Sequence, residues 1–289
     1  LEDFVVGNDV DCDFQRRGTF SLAGSEVELS ALDDSARRLT RLGVSVDTVD
    51  ADELHHRLGA QGFFGGAYYR DDGEVDPRKL VRAIVDRSGA TLLLGNEMHR
   101  FTAHGDGLCL YTSQQMIFCT AVVLATNGYS HQIHPWFADK IFPTRGQILV
   151  TEPVRPFLPA PCYANFVLDY FRQLPGGRML IGGFRQLEER EVGTADEVNA
   201  HIQGALEAFL HRHFPDLAQA RIDHRWSGTM GFSADGLPMI GSLPGQDQVY
   251  FLGGYTGHGM GWGFLAGKLV AELILQGKSP PIVSARRFF

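Results

Sequence analysis

Residues 249–275 carry the clearest pattern of apolar and polar positions in the chain. Residues 249–252 (VYFL) form a short apolar run that predicts a buried strand. Apolar positions within residues 264–274 recur at helical spacing and predict an amphipathic helix. Glycines are dense between the two, from residue 253 to residue 263. The stretch therefore predicts a strand, a glycine-rich turn and a helix, and we expect the rest of the chain to be organised around it.

Two interpretations of this glycine-rich turn are open. Glycine lets the backbone come close to a bound group, and a helix start offers free N–H groups with a partial positive charge. The turn would then hold an anionic or polarisable ligand. Alternatively, the glycines only let the helix pack tightly on a sheet. Residues 261–266 (GWGFLA) match G-x-G-x-x-A, which expects a following strand and an acidic residue about 20 residues on. The chain instead runs into Pro280-Pro281 and Arg286-Arg287 with no second strand, so residues 261–266 are not the first turn of a Rossmann unit.

The remaining pattern predicts alternating helices and strands. The sequence SEVE at 25–28 is a capping box that opens a helix ending at Gly43, and Asp76 before Pro77 opens another. Helices are also predicted over residues 52–58 and 196–213. Strands are predicted at 18–23, 62–69, 91–94, 121–125, 148–152, 166–172 and 178–183, and residues 217–226 are expected to lead into a further strand. Residues 99–109 and 109–118 are predicted to pair as strands around the turn at 105–107.

The order of these elements predicts two interleaved domains. Hairpin-and-helix segments interrupt the strand–helix segments twice, which two consecutive domains would not produce. We place the boundaries near residues 70, 135 and 225. Residues 126–129 follow a predicted strand, and ligands bind at the carboxyl ends of strands in open α/β sheets. A simple turn after a core strand explains residues 126–129 equally well.

Composition and charge narrow the class of protein. The chain has 289 residues, 44% hydrophobic and 21% charged, as in an ordinary globular protein. A net charge of −8 with no basic run argues against nucleic acid and anionic membranes. No apolar run is long enough to span a membrane, and no signal peptide is visible. The four cysteines are scattered, so we expect reduced thiols and a cytoplasmic location.

Motifs for other chemistries are missing. The histidines show no spacing typical of metal ligands, so no metal site is predicted. The sequence also lacks the G-x-S-x-G elbow of hydrolases and the phosphate-binding Walker loop.

Four motifs in order resemble one family. They are ATNGYS at 125–130, PTRGQ at 143–147, WSG at 226–228 with FSADGLPMIG at 232–241, and GYTGHG at 254–259. Together they resemble the D-amino-acid oxidase superfamily of FAD-dependent amine oxidoreductases. VDCDF at 10–14, DYFR at 169–172 and RMLIGG at 178–183 are most similar to the γ-glutamylputrescine oxidase branch, beside glycine and sarcosine oxidases.

The resemblance implies a mixed α/β fold, in which an FAD-binding Rossmann-like domain interleaves with an antiparallel-sheet substrate domain. Residues 1–70 and 136–225 would belong to the substrate domain, and residues 71–135 and 226–289 to the FAD domain. Family members begin with a βαβ unit carrying G-x-G-x-x-G, which this chain does not contain. We therefore expect the 289-residue chain alone to bind FAD weakly. A flavin-free subunit that keeps the fold without catalysis is the alternative.

The resemblance also assigns site residues. The backbone at Met98 would meet the adenine. The dinucleotide and flavin would be contacted by Ala125, Thr126, Asn127, Gly128, Gly228, Gly254, Gly257, His258, Gly259, Met260 and Gly261. The substrate-side candidates are Tyr170, Arg172, Tyr255 and His258, although structural packing explains each of them as well as substrate contact does.

The resemblance implies oxidation of a small amine or amino acid by hydride transfer to the flavin, with oxygen or another electron acceptor. The helix start at residues 259–263 would stabilise negative charge on the reduced flavin. Some sarcosine oxidases attach flavin to a cysteine near the position of Gly228, which is absent, so FAD should be bound non-covalently. Glycine oxidases carry a substrate-binding arginine near the position of Met230. Its absence favours an amine, or a substrate with a distant carboxylate, over glycine.

Overall fold

A computed structural model describes residues 1–188 and 193–289. Its α-helices are α1 (Glu2–Gly7), α2 (Glu26–Arg41), α3 (Ala51–Leu58), α4 (Pro77–Ser88), α5 (Ser130–Ile133), α6 (Ala200–His213) and α7 (Gly259–Gln276). Its strands are β1 (Thr19–Ala23), β2 (Val46–Asp50), β3 (Gly65–Tyr69), β4 (Met98–His104), β5 (Gly107–Thr112), β6 (Met116–Cys119), β7 (Val122–Leu124), β8 (Ile141–Pro153), β9 (Cys162–Ala164), β10 (Asp169–Gln173), β11 (Arg178–Gly183), β12 (Ile222–Ser233), β13 (Met239–Leu243) and β14 (Gln246–Gly253).

The strands form three sheets. An eight-stranded sheet has the order β12-β8-β11-β10-β9-β1-β3-β2, and all its pairs are antiparallel except β1 with β9. A second sheet has the order β13-β14-β7, with β14 and β7 parallel. A third is the meander β4-β5-β6. The predicted mixed α/β architecture with a large, mainly antiparallel sheet is confirmed.

The large sheet buries one face and leaves the other for polar side chains. Successive residues of a strand point to opposite faces. Phe20, Phe171 and Ile181 lie on the face that packs against α6, where Ile202 and Leu206 are fully buried. Tyr163 and Tyr170 are directly paired on neighbouring strands, and both alternate with that buried set, so they lie on the opposite face.

Helix α7 covers the small sheet. Ile240 of β13 packs with Ala266 and Val270 of the helix. Val249 and Phe251 of β14 point to the other face, into a separate core. The predicted order of strand, glycine-rich turn and helix is thus found at β14 and α7.

The predicted helix caps are present. Ser25 Oγ accepts a hydrogen bond from the Glu28 backbone N–H, and Asp76 accepts from the first turn of α4. Gly59 ends α3 in the left-handed conformation. Helices α2, α3 and α4 therefore begin or end where a local hydrogen bond or a glycine satisfies their terminal backbone groups.

Two strand predictions are wrong. Residues 91–94 are not a strand, and Leu92, Leu93 and Leu94 are all exposed. This leucine run lies in no sheet of the described chain, and a strand needs a paired neighbour for its backbone groups. Residues 109–118 belong to two strands, β5 and β6, because the chain turns again at residues 113–115.

Glu28 links helix α2 to the large sheet. Its carboxylate is buried, with Oε2 accepting from the Gly24 N–H at 2.8 Å and Oε1 from the Phe166 N–H at 2.5 Å. Phe166 lies between Asn165 and Val167, and all three have positive φ. This conformation is unfavourable for residues other than glycine, so the bond from Glu28 holds a strained turn in place.

We predict that Glu28→Ala destabilises the protein by roughly 3 kcal/mol, because two backbone N–H groups lose a charged acceptor. Urea unfolding measures the change. Glu26→Ala is the matched control, since Glu26 is exposed on the first turn of the same helix and contributes no more than about 1 kcal/mol. Equal stabilities for the two variants would contradict the role given to Glu28.

Candidate functional site

The eight-stranded sheet and the β13-β14-β7 sheet meet where β7, β12 and β14 come together. Asn127 follows β7 with a φ of 43°, and its Oδ1 accepts a hydrogen bond from the Gly254 N–H at 2.9 Å. The Thr256 N–H donates to the Gly231 carbonyl of β12 at 2.9 Å. We call these three segments, residues 126–128, 229–232 and 253–256, the junction.

Glycine is required at the junction. A Cβ atom at Gly231 would lie 2.3 Å from Asn127 Oδ1, and one at Gly128 would lie 2.8 Å from the Met230 carbonyl oxygen. Both distances are too short for any side chain. The backbones of β12 and of the turn after β7 therefore touch directly, and this contact fixes where the segment leading into α7 begins.

The start of α7 itself is bare. A Cβ at Gly259 would come no closer than 3.7 Å to any atom, and one at Gly261 or Gly263 would meet nothing within 4 Å. His258 is the N-cap residue but makes no side-chain cap. The described residues therefore do not use these glycines for close packing, and the helix presents uncapped N–H groups and open space.

A cleft of about 240 Å³ lies between the large sheet and the segment before α7. Residues from five separate segments line it: Tyr163, Val167, Leu168, Tyr170, Arg185, Met230, Thr256, Gly257 and His258. Tyr170 and His258, two of the predicted substrate-side residues, are thus brought together. Residues nearly 90 positions apart in the chain meet here because the junction joins β12 to the end of β14.

The cleft contains two phenol groups. Tyr163 and Tyr170 are paired across β9 and β10. Burial raises the pKa of Tyr170 to about 12 and also raises the pKa of Tyr163. Both side chains therefore keep their protons at neutral pH. Neither hydroxyl hydrogen-bonds to another described residue, which leaves both available as donors.

Arg185 also lines the cleft, and the sequence prediction missed it. It begins a short 3₁₀ turn after β11, with its guanidinium 4.8 Å from the ring centroid of Phe232. Burial lowers its pKa. The preceding residues Gly183 and Phe184 both have positive φ, so the chain turns sharply and directs residue 185 toward the cleft. In the sequence, only the glycine pair at 182–183 indicates that turn.

Arg172 does not line the cleft. It is two residues beyond Tyr170 on β10, and its guanidinium pairs with the Glu74 carboxylate. Its Nε is buried without a hydrogen-bond partner among the described residues. The charge of Arg172 is therefore neutralised within the protein, which does not favour the predicted substrate contact.

Tyr255 and most of the predicted cofactor residues lie around the junction, whereas Gly257 and His258 line the cleft. Tyr255 forms a backbone bridge with Phe232, and burial raises the pKa of its side chain to about 12. Gly254 has a φ of 70° and packs on Ser233, so it serves the turn itself. Ala125 and Thr126 follow β7, Gly228 is open on one side of β12, and Met260 is exposed on α7.

Met98 lies apart from the residues around the junction, since it begins β4 and packs against the core of the β13-β14-β7 sheet.

Within residues 1–188 and 193–289, no cluster of three or more His, Cys, Asp or Glu side chains is arranged to hold a metal ion. Every helix in the described part of the chain is too short or too polar to cross a bilayer.

Two solved structures illustrate the fold. L-Proline dehydrogenase from P. horikoshii superposes with a TM-score of 0.85 at 20% identity, covering 97% of this chain and 78% of that one. Glycine oxidase from Geobacillus kaustophilus superposes with a TM-score of 0.82 at 24% identity, covering 94% of this chain and 74% of that one. These likenesses show that the chain shares its fold with these two proteins.

The chain belongs to the DAO family of FAD-dependent oxidoreductases, whose model matches residues 2–273. It is 26% identical over 280 residues to γ-glutamylputrescine oxidoreductase from Escherichia coli, covering 92% of this chain and 63% of that protein. It is 31% identical over 244 residues to the probable oxidoreductase OrdL from Rhizobium meliloti, covering 80% of this chain and 54% of that protein. The chain thus spans between half and two thirds of these relatives. The family resemblance inferred from the motifs is confirmed.

We predict that Asn127→Ala destabilises the protein by roughly 2 kcal/mol, because alanine cannot accept the Gly254 N–H and tolerates positive φ less well than asparagine. Asn127→Asp keeps an acceptor oxygen and the same tolerance, so it should lose less than half as much. Thermal unfolding compares the two. An alanine variant as stable as the aspartate variant would show that the hydrogen bond to Gly254 does not hold the junction.

Proposed function

We propose that the protein is an FAD-dependent oxidoreductase that oxidises the C–N bond of an amine or an N-substituted amino acid. One observation carries the proposal. The start of α7 is free of side chains at Gly259, Gly261 and Gly263. A Cβ atom at Gly261 or Gly263 would meet nothing within 4 Å, and one at Gly259 would only reach contact distance of Tyr255, at 3.7 Å. Bare N–H groups at the start of an 18-residue helix suit a large, polarisable ligand with developing negative charge.

The residues present fit FAD. The turn at residues 125–128 and the segment at residues 257–261 would hold it, with the first following the carboxyl end of a parallel strand, β7. FAD, when bound, supplies the acceptor for the hydride that leaves the substrate. The start of α7 would stabilise the negative charge that this transfer creates. Non-covalent binding is supported because none of the four cysteines lines the cleft.

The cleft would hold the substrate beside this site. Its apolar walls, Val167, Leu168 and Met230, exclude water from the reacting carbon. Tyr170 and His258 lie within the same small volume and would orient the amine. The amine or amino-acid substrate class is supported by the names of the relatives, which include a γ-glutamylputrescine oxidoreductase and glycine oxidases.

We predict that Gly259→Val weakens FAD binding at least tenfold, or about 1.4 kcal/mol, because the side chain enters the space over the helix start. The fold should persist, since the position has neither positive φ nor a close contact. Gly204→Val, at an open helical position of α6, is the matched control. Fluorescence titration of FAD into the full-length natural protein, beside an unfolding curve, gives the answer. Unchanged FAD affinity in the first variant would mean that the glycine turn is not a cofactor site.

The reaction itself is tested by anaerobic mixing of the FAD-loaded, full-length natural protein with a γ-glutamylated amine, sarcosine, glycine and D-alanine. We expect at least one of the first two to bleach the flavin absorption band. Acid precipitation should then release the flavin into the supernatant, as non-covalent binding requires. A protein that binds FAD but is bleached by no amine or amino acid would contradict the proposed reaction.

A further inference from the structure

The proposed reaction has to dispose of a proton before the C–N bond is oxidised. An alkylamine has a pKa of about 10, so it reaches the protein mainly as an ammonium ion. The ammonium nitrogen has no lone pair, and a lone pair is needed to form the C=N bond as the hydride leaves. A base inside the cleft would take this proton at neutral pH.

One side chain of the cleft suits that role. Tyr163 and Tyr170 keep their protons, because burial raises the pKa of both phenols. Arg185 is a hydrogen-bond donor with no acceptor atom. Of the described residues that line the cleft, only His258 carries an imidazole, the side chain that takes up and releases protons near neutral pH.

Asp169 is the one carboxylate whose charge acts on both Tyr170 and Arg185 among the described residues. It is buried and does not line the cleft. Its Oδ1 accepts from the Phe184 N–H at 2.7 Å, and its Oδ2 accepts from the Asn165 side-chain amide at 3.1 Å. Both oxygens are thus directed at the turns beside the cleft, and Asp169 does not compete with His258 as the base.

A hydrogen bond to the backbone sets the tautomer of His258. Its Nδ1 lies 2.8 Å from the Thr256 carbonyl oxygen. A carbonyl oxygen only accepts, so Nδ1 carries the hydrogen and Nε2 of the neutral ring has a free lone pair. Nε2 makes no hydrogen bond to another described residue. The ring therefore offers a ligand in the cleft a proton acceptor.

The junction fixes the carbonyl group that sets this tautomer. Thr256 has a φ of 52°, and its N–H donates to the Gly231 carbonyl at 2.9 Å. Its hydroxyl oxygen accepts from the Ser233 N–H at 3.2 Å. The His258 N–H donates to the Tyr255 carbonyl at 2.9 Å. The segment before α7 thus holds the imidazole through its backbone as well as through its ring.

We propose that His258 Nε2 accepts the proton of the substrate ammonium before the hydride leaves. The N–H bond breaks, its electron pair stays on the amine nitrogen, and an Nε2–H bond forms. Because His258 is exposed, the imidazolium then returns the proton to water. This role rests on the proposed function, and it makes His258 a catalytic residue rather than one that only orients the amine.

The tautomer is tested without any substrate. ¹⁵N NMR of the histidine rings is recorded on the FAD-loaded, full-length natural protein at about pH 8.5, where an ordinary histidine is neutral. The His258 signals are those that disappear in His258→Asn. We expect a ring protonated at Nδ1 and bare at Nε2. A ring protonated at Nε2 would overturn the proposal.

The proton transfer is tested by stopped-flow reduction of the flavin with the faster of sarcosine and a γ-glutamylated amine. His258→Asn keeps a donor for the Thr256 carbonyl but has no base at the position of Nε2. At about pH 7 we expect this variant to be reduced roughly 100-fold more slowly, or worse. At about pH 10 much of the amine arrives already neutral, so the rates should differ less than about threefold. Comparison at each pH cancels the titration of Tyr163, Tyr170 and Arg185, which both proteins share.

His258→Gln places an amide near the position of Nε2 but takes up no proton, so it should behave as His258→Asn does. His211→Asn is the matched control, since His211 is exposed on α6, and it should match the natural protein at every pH. Flavin content and unfolding curves are recorded for each variant. The proposal is overturned if His258→Asn is reduced at the natural rate near neutral pH, or if its loss is as large in alkali. Failure of the proposed function looks different, because then no amine reduces the natural protein itself.

Discussion

The direct contact of backbones at the junction is the constraint on which the rest of the site depends. Gly128 and Gly231 have no room for a Cβ atom, so the turn after β7 lies against β12. Asn127 then reaches across and accepts the Gly254 N–H. This contact ties the β13-β14-β7 sheet to the eight-stranded sheet. The start of α7 and the polar face of the large sheet are consequently held beside each other, and the cleft is the space left between them.

Two arginines near the cleft, Arg172 and Arg185, differ in their ion pairing. Both lie near Tyr170, and Glu74 neutralises the first. Arg185 lines the cleft, and among the described residues no carboxylate forms an ion pair with it. Asp169 attracts Arg185 only at longer range, because its oxygens accept hydrogen bonds from the Phe184 N–H and the Asn165 side chain.

Features governed by neighbours in the chain could be predicted from the sequence. Ser25 caps α2, Gly59 ends α3, and the glycines before α7 follow a buried strand, because caps, turns and short apolar runs depend on residues a few positions apart. Family motifs also indicated the fold, which the comparisons confirm. The contacts of the junction were not predicted, because the sequence shows only the glycines and does not distinguish close packing from ligand binding.

Features set by residues distant in the chain could not be predicted. Residues 91–94 look like a strand, but pairing decides whether an apolar run becomes one, and no described strand pairs with it. The bond from Glu28 to Phe166 spans 138 residues, and no local pattern signals it. Arg185 was missed for the same reason, since its place depends on the strained backbone at Gly183 and Phe184.

Amide hydrogen–deuterium exchange on the full-length natural protein, with and without FAD, tests the central claim most directly. The account predicts that FAD slows exchange at the amides of residues 257–263 and of residues 125–128, where the start of α7 and the turn after β7 would hold the cofactor. Exchange in α6, on the far side of the large sheet, should not change. If FAD binds but leaves residues 257–263 exchanging as before, the cofactor lies elsewhere and the bare start of α7 is not its site.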